Sequence, residues 1–141
     1  MRIAFGTDAT TALTQHLVQR LSNAGHQVLV VADPSEWPNA GRDVAASVAT
    51  GEADLGIVCC WTGTGVSIAA NKVDGVRAAL CTDAYTADGA RRWNDANVLA
   101  IGLRLTSQQS ADEMVDAFLS GAPEASQAAN VAAVEGGPTG G

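Results

Sequence analysis

Cys60-Trp61-Thr62-Gly63-Thr64-Gly65-Val66-Ser67-Ile68-Ala69-Ala70-Asn71-Lys72 is the stretch that decides the fold. The apolar run Leu55 to Cys59 leads into it and reads as a buried parallel strand. Gly63 and Gly65 break that strand, and Val66 to Lys72 has the composition of a helix start. A strand, a glycine turn and a helix N-terminus together present unpaired backbone N–H groups. Such a turn binds an anion or stabilises a developing oxyanion. The Cys60 thiol sits at the strand end, where open parallel sheets bind their ligands.

Working outward, apolar runs and helical patches alternate. Strands are expected at Ile3 to Gly6, Gln27 to Ala32, Asp54 to Cys60, Val76 to Cys81 and Val98 to Ile101. Helices are expected at Thr10 to Ala24, with Gly25 as a C-terminal cap, and at Arg42 to Thr50, Val66 to Val73, Ala84 to Trp93 and Ser107 to Leu119. Asp33 to Gly41, which holds Pro34 and Pro38, reads as a loop. Alternating strands and helices imply βαβ units, and right-handed crossovers put helices on both faces. The fold class is therefore α/β, a three-layer, doubly wound (Rossmann-like), five-stranded parallel sheet. One α/β domain over residues 1–120 is expected, followed by a tail, 121–141. In the tail Ser126 to Val134 suits a short Ala-rich helix that docks on a partner, and Gly136 to Gly141 is too poor in core formers to order by itself.

Bulk properties exclude several classes. The 141 residues suffice for one core, 47 % are hydrophobic, and the net charge of −7 argues against a nucleic-acid or anionic-membrane surface. There is no run of about 18 apolar residues, so no membrane span is expected. No basic leader with a cleavage site stands at the N-terminus, so no signal peptide is expected. Three cysteines, two of them adjacent, make no disulfide framework and suit reduced thiols in the cytoplasm.

The segment Cys60 to Lys72 resembles the signature of the sugar-phosphate isomerases that include type B ribose-5-phosphate isomerase and the galactose-6-phosphate isomerase subunits. The resemblance continues through Arg2 to Asp8, Gly75 to Cys81, Ala84 to Ala87, Arg91 to Leu99 and Gly102 to Arg104. It implies aldose–ketose isomerisation of a sugar phosphate through a cis-enediolate, with no cofactor and no metal. It implies Cys60 as the base at carbon and Thr62 as its hydroxyl helper. The backbone N–H groups from Trp61 to Ser67, including Gly63, Thr64 and Gly65, become the anion hole. Asp8 and Asn94 become sugar contacts, and Arg104 a phosphate contact. It also implies a homodimer or homotetramer, or a paralogous partner subunit, with sites between chains.

Each assignment has a plainer alternative. Cys60, like Cys59 and Cys81, can be a small core hydrophobe. Asp8 can cap the helix that follows it, and Asn94 can belong to a turn. Three departures from the family pattern bear on substrate. Ala9 and Trp93 stand where the family has histidine, the second often assigned to ring opening, and no Lys, Arg or His follows Arg104. His16 and His26 match no family site and read as surface residues. Trp37, Trp61 and Trp93 add apolar area that suits a less charged sugar. The expected function is therefore an isomerase of altered specificity, with an unphosphorylated sugar or a half-site partner subunit as the alternatives. A small tyrosine phosphatase is disfavoured, because the position six residues after Cys60 is Val66 rather than arginine.

Overall fold

A computed structural model of the chain describes residues 1–136. Five strands, β1 (Arg2–Thr7), β2 (Gln27–Ala32), β3 (Leu55–Cys60), β4 (Ala78–Leu80) and β5 (Val98–Gly102), form one sheet in the order β2-β1-β3-β5-β4. Every pairing is parallel. Every residue of β3 and β5 is buried, the signature of central parallel strands covered on both sides. The order reverses direction between β1 and β3, so a crevice opens there at the carboxyl edge of the sheet.

The helices are α1 (Ala12–Asn23), α2 (Trp37–Ala49), α3 (Thr64–Asn71), α4 (Ala84–Asn94), α5 (Gln108–Ser120) and α6 (Ala128–Val134), the last preceded by a 3-10 turn at Ala125–Gln127. Strand alternation divides the core in two. Ile3, Phe5, Ile57, Cys59, Leu99 and Ile101 pack against Leu17, Leu21, Met114 and Phe118 of α1 and α5, with Ala87 of α4 beside them. Ala4, Val58, Cys60, Val98 and Ala100 pack against Val44 and Ala45 of α2 and Val66 and Ala70 of α3. Adjacent Cys59 and Cys60 thus face opposite layers.

Two expectations are corrected. The loop expected over Asp33 to Gly41 ends early, because α2 already starts at Trp37. Pro38 sits in its first turn, where no intrahelical N–H is needed. The helix expected from Thr10 starts at Ala12, capped by Thr11 in a reciprocal box with Thr14. Asp8 therefore caps nothing. Of the tail, Gly137 to Gly141 lie outside the described residues.

Candidate functional site

Four chain segments meet at the carboxyl edge of the sheet. Asp8 leaves β1 with its N–H on the Cys59 carbonyl at 3.1 Å. Ser35, in the segment leading to α2, donates its N–H to the Thr7 carbonyl at 3.2 Å. Leu103 and Arg104 donate to the Cys60 and Trp61 carbonyls at 2.9 and 3.0 Å, so the β3–β5 pairing runs on past both strand ends. The β3–α3 turn, Trp61 to Gly63, is held between these neighbours.

The turn is shaped by its glycines. Gly63, the N-cap of α3, has φ 77, and a Cβ there would lie 2.5 Å from Leu80 Cδ1 and 2.8 Å from the Gly102 nitrogen. A Cβ on Gly65 would lie 2.8 Å from the Trp37 ring. That close seat brings the Trp37 indole against the first turn of α3. Inside the turn the Gly63 N–H donates to Cys60 Sγ at 3.2 Å, and the Thr62 and Thr64 hydroxyls are 2.7 Å apart. The N–H groups of Thr64, Gly65 and Val66 open the helix with no carbonyl four residues back to receive them. Ser67 N–H closes the turn on the Gly63 carbonyl, with the Ser67 side chain half-buried.

Charge at this edge is unevenly shared. Asp8 is half-buried and its Oδ1 has no hydrogen-bond partner among the described residues. Burial pushes its carboxyl above the usual range, its own backbone N–H opposes this, and Glu36 raises it further. Asp8, Pro34, Ser35 and Glu36 line a cavity of about 250 Å³. Cys59, fully buried, has its thiol pushed far up by burial. Cys81 is pushed up to about 11 by burial, with Asp83 adding to it. Of the eight cations, Arg2, Arg20, Arg77, Arg91 and Arg92 pair with carboxylates. Arg42 bonds Asn39, and Lys72 ends α3 at the far edge. The exposed Arg104 side chain makes no ion pair or hydrogen bond among the described residues.

Cys60, Thr62, Gly63, Thr64, Gly65, Ser67, Asp8 and Arg104 are thus brought to one edge. Asn94 is not. It ends α4, which runs back from the carboxyl edge, so it lies at the opposite edge, about 15 Å away across a five-residue strand. Trp93 goes with it, packed edge-on against Tyr85 with ring centroids 6.1 Å apart. A cavity of about 760 Å³ is at that far edge, lined among others by Asn71, Arg77, Trp93, Asn94, Asn130 and Glu135. Trp37 and Trp61 remain near Cys60, so only two of the three tryptophans bear on the site.

Several charged residues have other duties. His16 bonds Asp112 at 2.8 Å between α1 and α5 and is only partly exposed. The Arg91 guanidinium is turned inward, bonding the Ala96 carbonyl at 2.6 Å, and burial lowers its pKa. Arg92 is exposed and pairs with Glu124 of the tail at 2.6 Å. Glu36 was missed as a site residue. Its only signal in the sequence is its place four residues after the second strand's carboxyl end, where ligands gather.

No group of three or more His, Cys, Asp and Glu is placed to hold a metal among the described residues. No helix among them is long and apolar enough to cross a membrane.

The Ribose/Galactose Isomerase family model matches residues 3–134. The chain is 41 % identical over 123 residues to ribose-5-phosphate isomerase B of Escherichia coli, covering 84 % of this chain and 83 % of that protein. It is 34 % identical over 125 residues to D-erythrulose-4-phosphate isomerase of Pectobacterium atrosepticum, covering 84 % and 82 %. Its structure matches that of ribose-5-phosphate isomerase B from Clostridium thermocellum with a TM-score of 0.91 at 38 % identity, over 96 % and 95 % of the two chains.

Proposed function

Because the chain belongs to the Ribose/Galactose Isomerase family and so to the aldose–ketose isomerases of sugar phosphates, we propose that it works through a cis-enediolate with Cys60 as the base at carbon. The observation that carries this is the Gly63 N–H aimed at Cys60 Sγ, beside the open N–H groups of the α3 N-terminus. A hydrogen bond to an ionised acceptor is roughly twice as strong as one to a neutral acceptor. The donor and the open helix end are both placed to steady negative charge that develops at the turn. As the base, Cys60 Sγ takes the proton from the hydroxyl-bearing carbon beside the carbonyl. The N–H groups of Thr64, Gly65 and Val66 then hold the enediolate oxygen, and the proton returns to the neighbouring carbon. The paired Thr62 and Thr64 hydroxyls, 2.7 Å apart, are this reading's candidates for the oxygen-to-oxygen proton shuttle.

The site is shared between two copies of this chain. Asn94 faces away from Cys60 in its own chain and serves the Cys60 of a partner in a homodimer. Arg104, whose guanidinium is unpaired among the described residues, takes the phosphate. The tail supplies no second cation, so phosphate is held weakly and ribose 5-phosphate is turned over with a raised KM.

Cys60→Ala tests this. It should abolish solvent deuterium incorporation at C1 and C2 of the substrate while leaving substrate affinity within a few-fold, a loss confined to the transition state. Retention of most exchange would remove Cys60 from the mechanism. Cys59→Ala, facing the other layer, should keep its turnover.

A further inference from the structure

An aldose–ketose isomerase acts on the open-chain carbonyl, yet pentose and hexose phosphates exist mostly as rings. Some group must move a proton from the anomeric hydroxyl to the ring oxygen. The chain has two histidines, and neither serves. His16 is bonded to Asp112 between α1 and α5, and His26 precedes β2 at the edge opposite Cys60, 3.4 Å from the Met1 amino group. The carboxylates of the Cys60 edge are mostly committed. Asp33 accepts the Thr10 hydroxyl, and Asp83 caps α4 through the Thr86 N–H and hydroxyl. Asp8 is not committed. Its Oδ1 is buried without a partner among the described residues, and it lines the cavity of about 250 Å³ with Pro34, Ser35 and Glu36. Its backbone N–H on the Cys59 carbonyl fixes it one residue from Cys60 across the β1–β3 crevice.

We propose that Asp8 opens the ring of a cyclic sugar substrate at this site, with Glu36 of the same cavity keeping a like charge beside its carboxyl. The proposal rests on the isomerase reading with Cys60 at carbon. The anomeric O–H gives its proton to one oxygen of the Asp8 carboxyl. The bond between C1 and the ring oxygen breaks as the C1 carbonyl forms. The ring oxygen takes a proton from the same carboxyl group, whose charge is unchanged at the end. One group does both jobs only if it can hold a proton near neutral pH, and burial with Glu36 nearby pushes Asp8 in that direction. The substrate class that needs this step is a ring-closing aldose such as a pentose phosphate. A tetrose phosphorylated on O4 has no hydroxyl with which to close a five-membered ring and does not need it.

The test separates ring opening from isomerisation. Ribose 5-phosphate is the probe, and exchange between its two anomers is followed by magnetisation-transfer NMR. Cys60→Ala, which should not isomerise it, should still accelerate anomer exchange. Adding Asp8→Asn should cut that acceleration about a hundredfold, the low end for a lost general acid–base group. Adding Glu36→Gln instead should reduce it less. In the otherwise intact enzyme, Glu36→Gln should lower kcat/KM for ribose 5-phosphate severalfold more than for erythrose 4-phosphate, a split that a loss of packing would not produce. Anomer exchange equally fast with and without Asp8, or no acceleration by Cys60→Ala at all, would overturn the proposal. Isomerisation by Cys60→Ala would instead refute the Cys60 assignment while the anomer comparison still stands. Matching circular dichroism of the folded variants excludes misfolding, and Glu36→Gln alone carries the test if Asp8→Asn fails to fold.

Discussion

Gly63→Ala is the sharpest perturbation of the site. The residue has φ 77, where an L side chain costs roughly 1–2 kcal/mol. Its new Cβ would also stand 2.5 Å from Leu80 Cδ1, 2.8 Å from the Gly102 nitrogen and 3.0 Å from the Ile101 carbonyl carbon. Two of these neighbours are backbone of a central strand and cannot swing away. Forcing a methyl into such a place adds about 1–3 kcal/mol. Gly25→Ala is the matched control, since Gly25 has φ 91 and nothing within 4 Å of a built Cβ. It incurs the conformational term alone. Urea unfolding followed by circular dichroism should therefore show Gly63→Ala less stable than Gly25→Ala by about 1–3 kcal/mol at matched slopes. Turnover should fall as well, because relief of the clash moves the Gly63 N–H off Cys60 Sγ. Gly25→Ala should leave turnover untouched. Stabilities within about 0.5 kcal/mol of each other, with unchanged turnover in both, would refute both the tightness of the turn and its bearing on Cys60.

Other outcomes follow from the same geometry. Arg104→Ala should raise KM for any phosphorylated substrate about tenfold or more, the loss of one charged hydrogen-bonding group of about 1.5–3 kcal/mol, and leave KM for a free sugar unchanged. Mixing inactive Cys60→Ala with inactive Asn94→Ala and allowing subunits to exchange should restore about a quarter of wild-type activity, because half of the two-fold dimers are mixed and each carries one intact site. No recovery would mean that Asn94 serves no partner. Asp8 has a folded-state pKa raised above its ordinary 3.8, so ionising it disfavours the folded state. Its contribution is fully present below pH 3.8 and is lost as pH rises through the folded value. Asp8→Asn should therefore be more stable than the parent at neutral pH, with the gain vanishing in acid. Thr11→Ala should lower stability by about 1 kcal/mol, the usual worth of an N-cap, without altering KM.

The sheet was legible because its signals are local. Gln27 to Ala32 is a strand with no further support, and the run into Cys60 announces its own burial. The start of α2 was hidden by Pro34 and Pro38, since proline marks both loops and first helical turns and only the packing of Trp37 on Gly65 decides between them. The place of Asn94 was in principle readable, as a helix returning between parallel strands must end at the edge where the next strand begins. Motif matching hides this, because it groups residues by family role and not by edge. The pairing of Asp8 with Glu36 depends on β2 lying beside β1, a register that no short window of sequence carries.

The tail has a consequence for how the molecule responds to its solvent. α6 buries no residue, and the segment after α5 is tied to the body by Arg92 with Glu124 and Arg77 with Glu135. Apolar contacts barely weaken with ionic strength, whereas exposed ion pairs are screened within about 10 Å at 0.1 M salt. The last stretch of the chain should thus lift from the body as salt rises, long before the sheet loosens. In a protease ladder at increasing sodium chloride, cuts should gather between Gly121 and Gly136 while residues 1–120 stay whole.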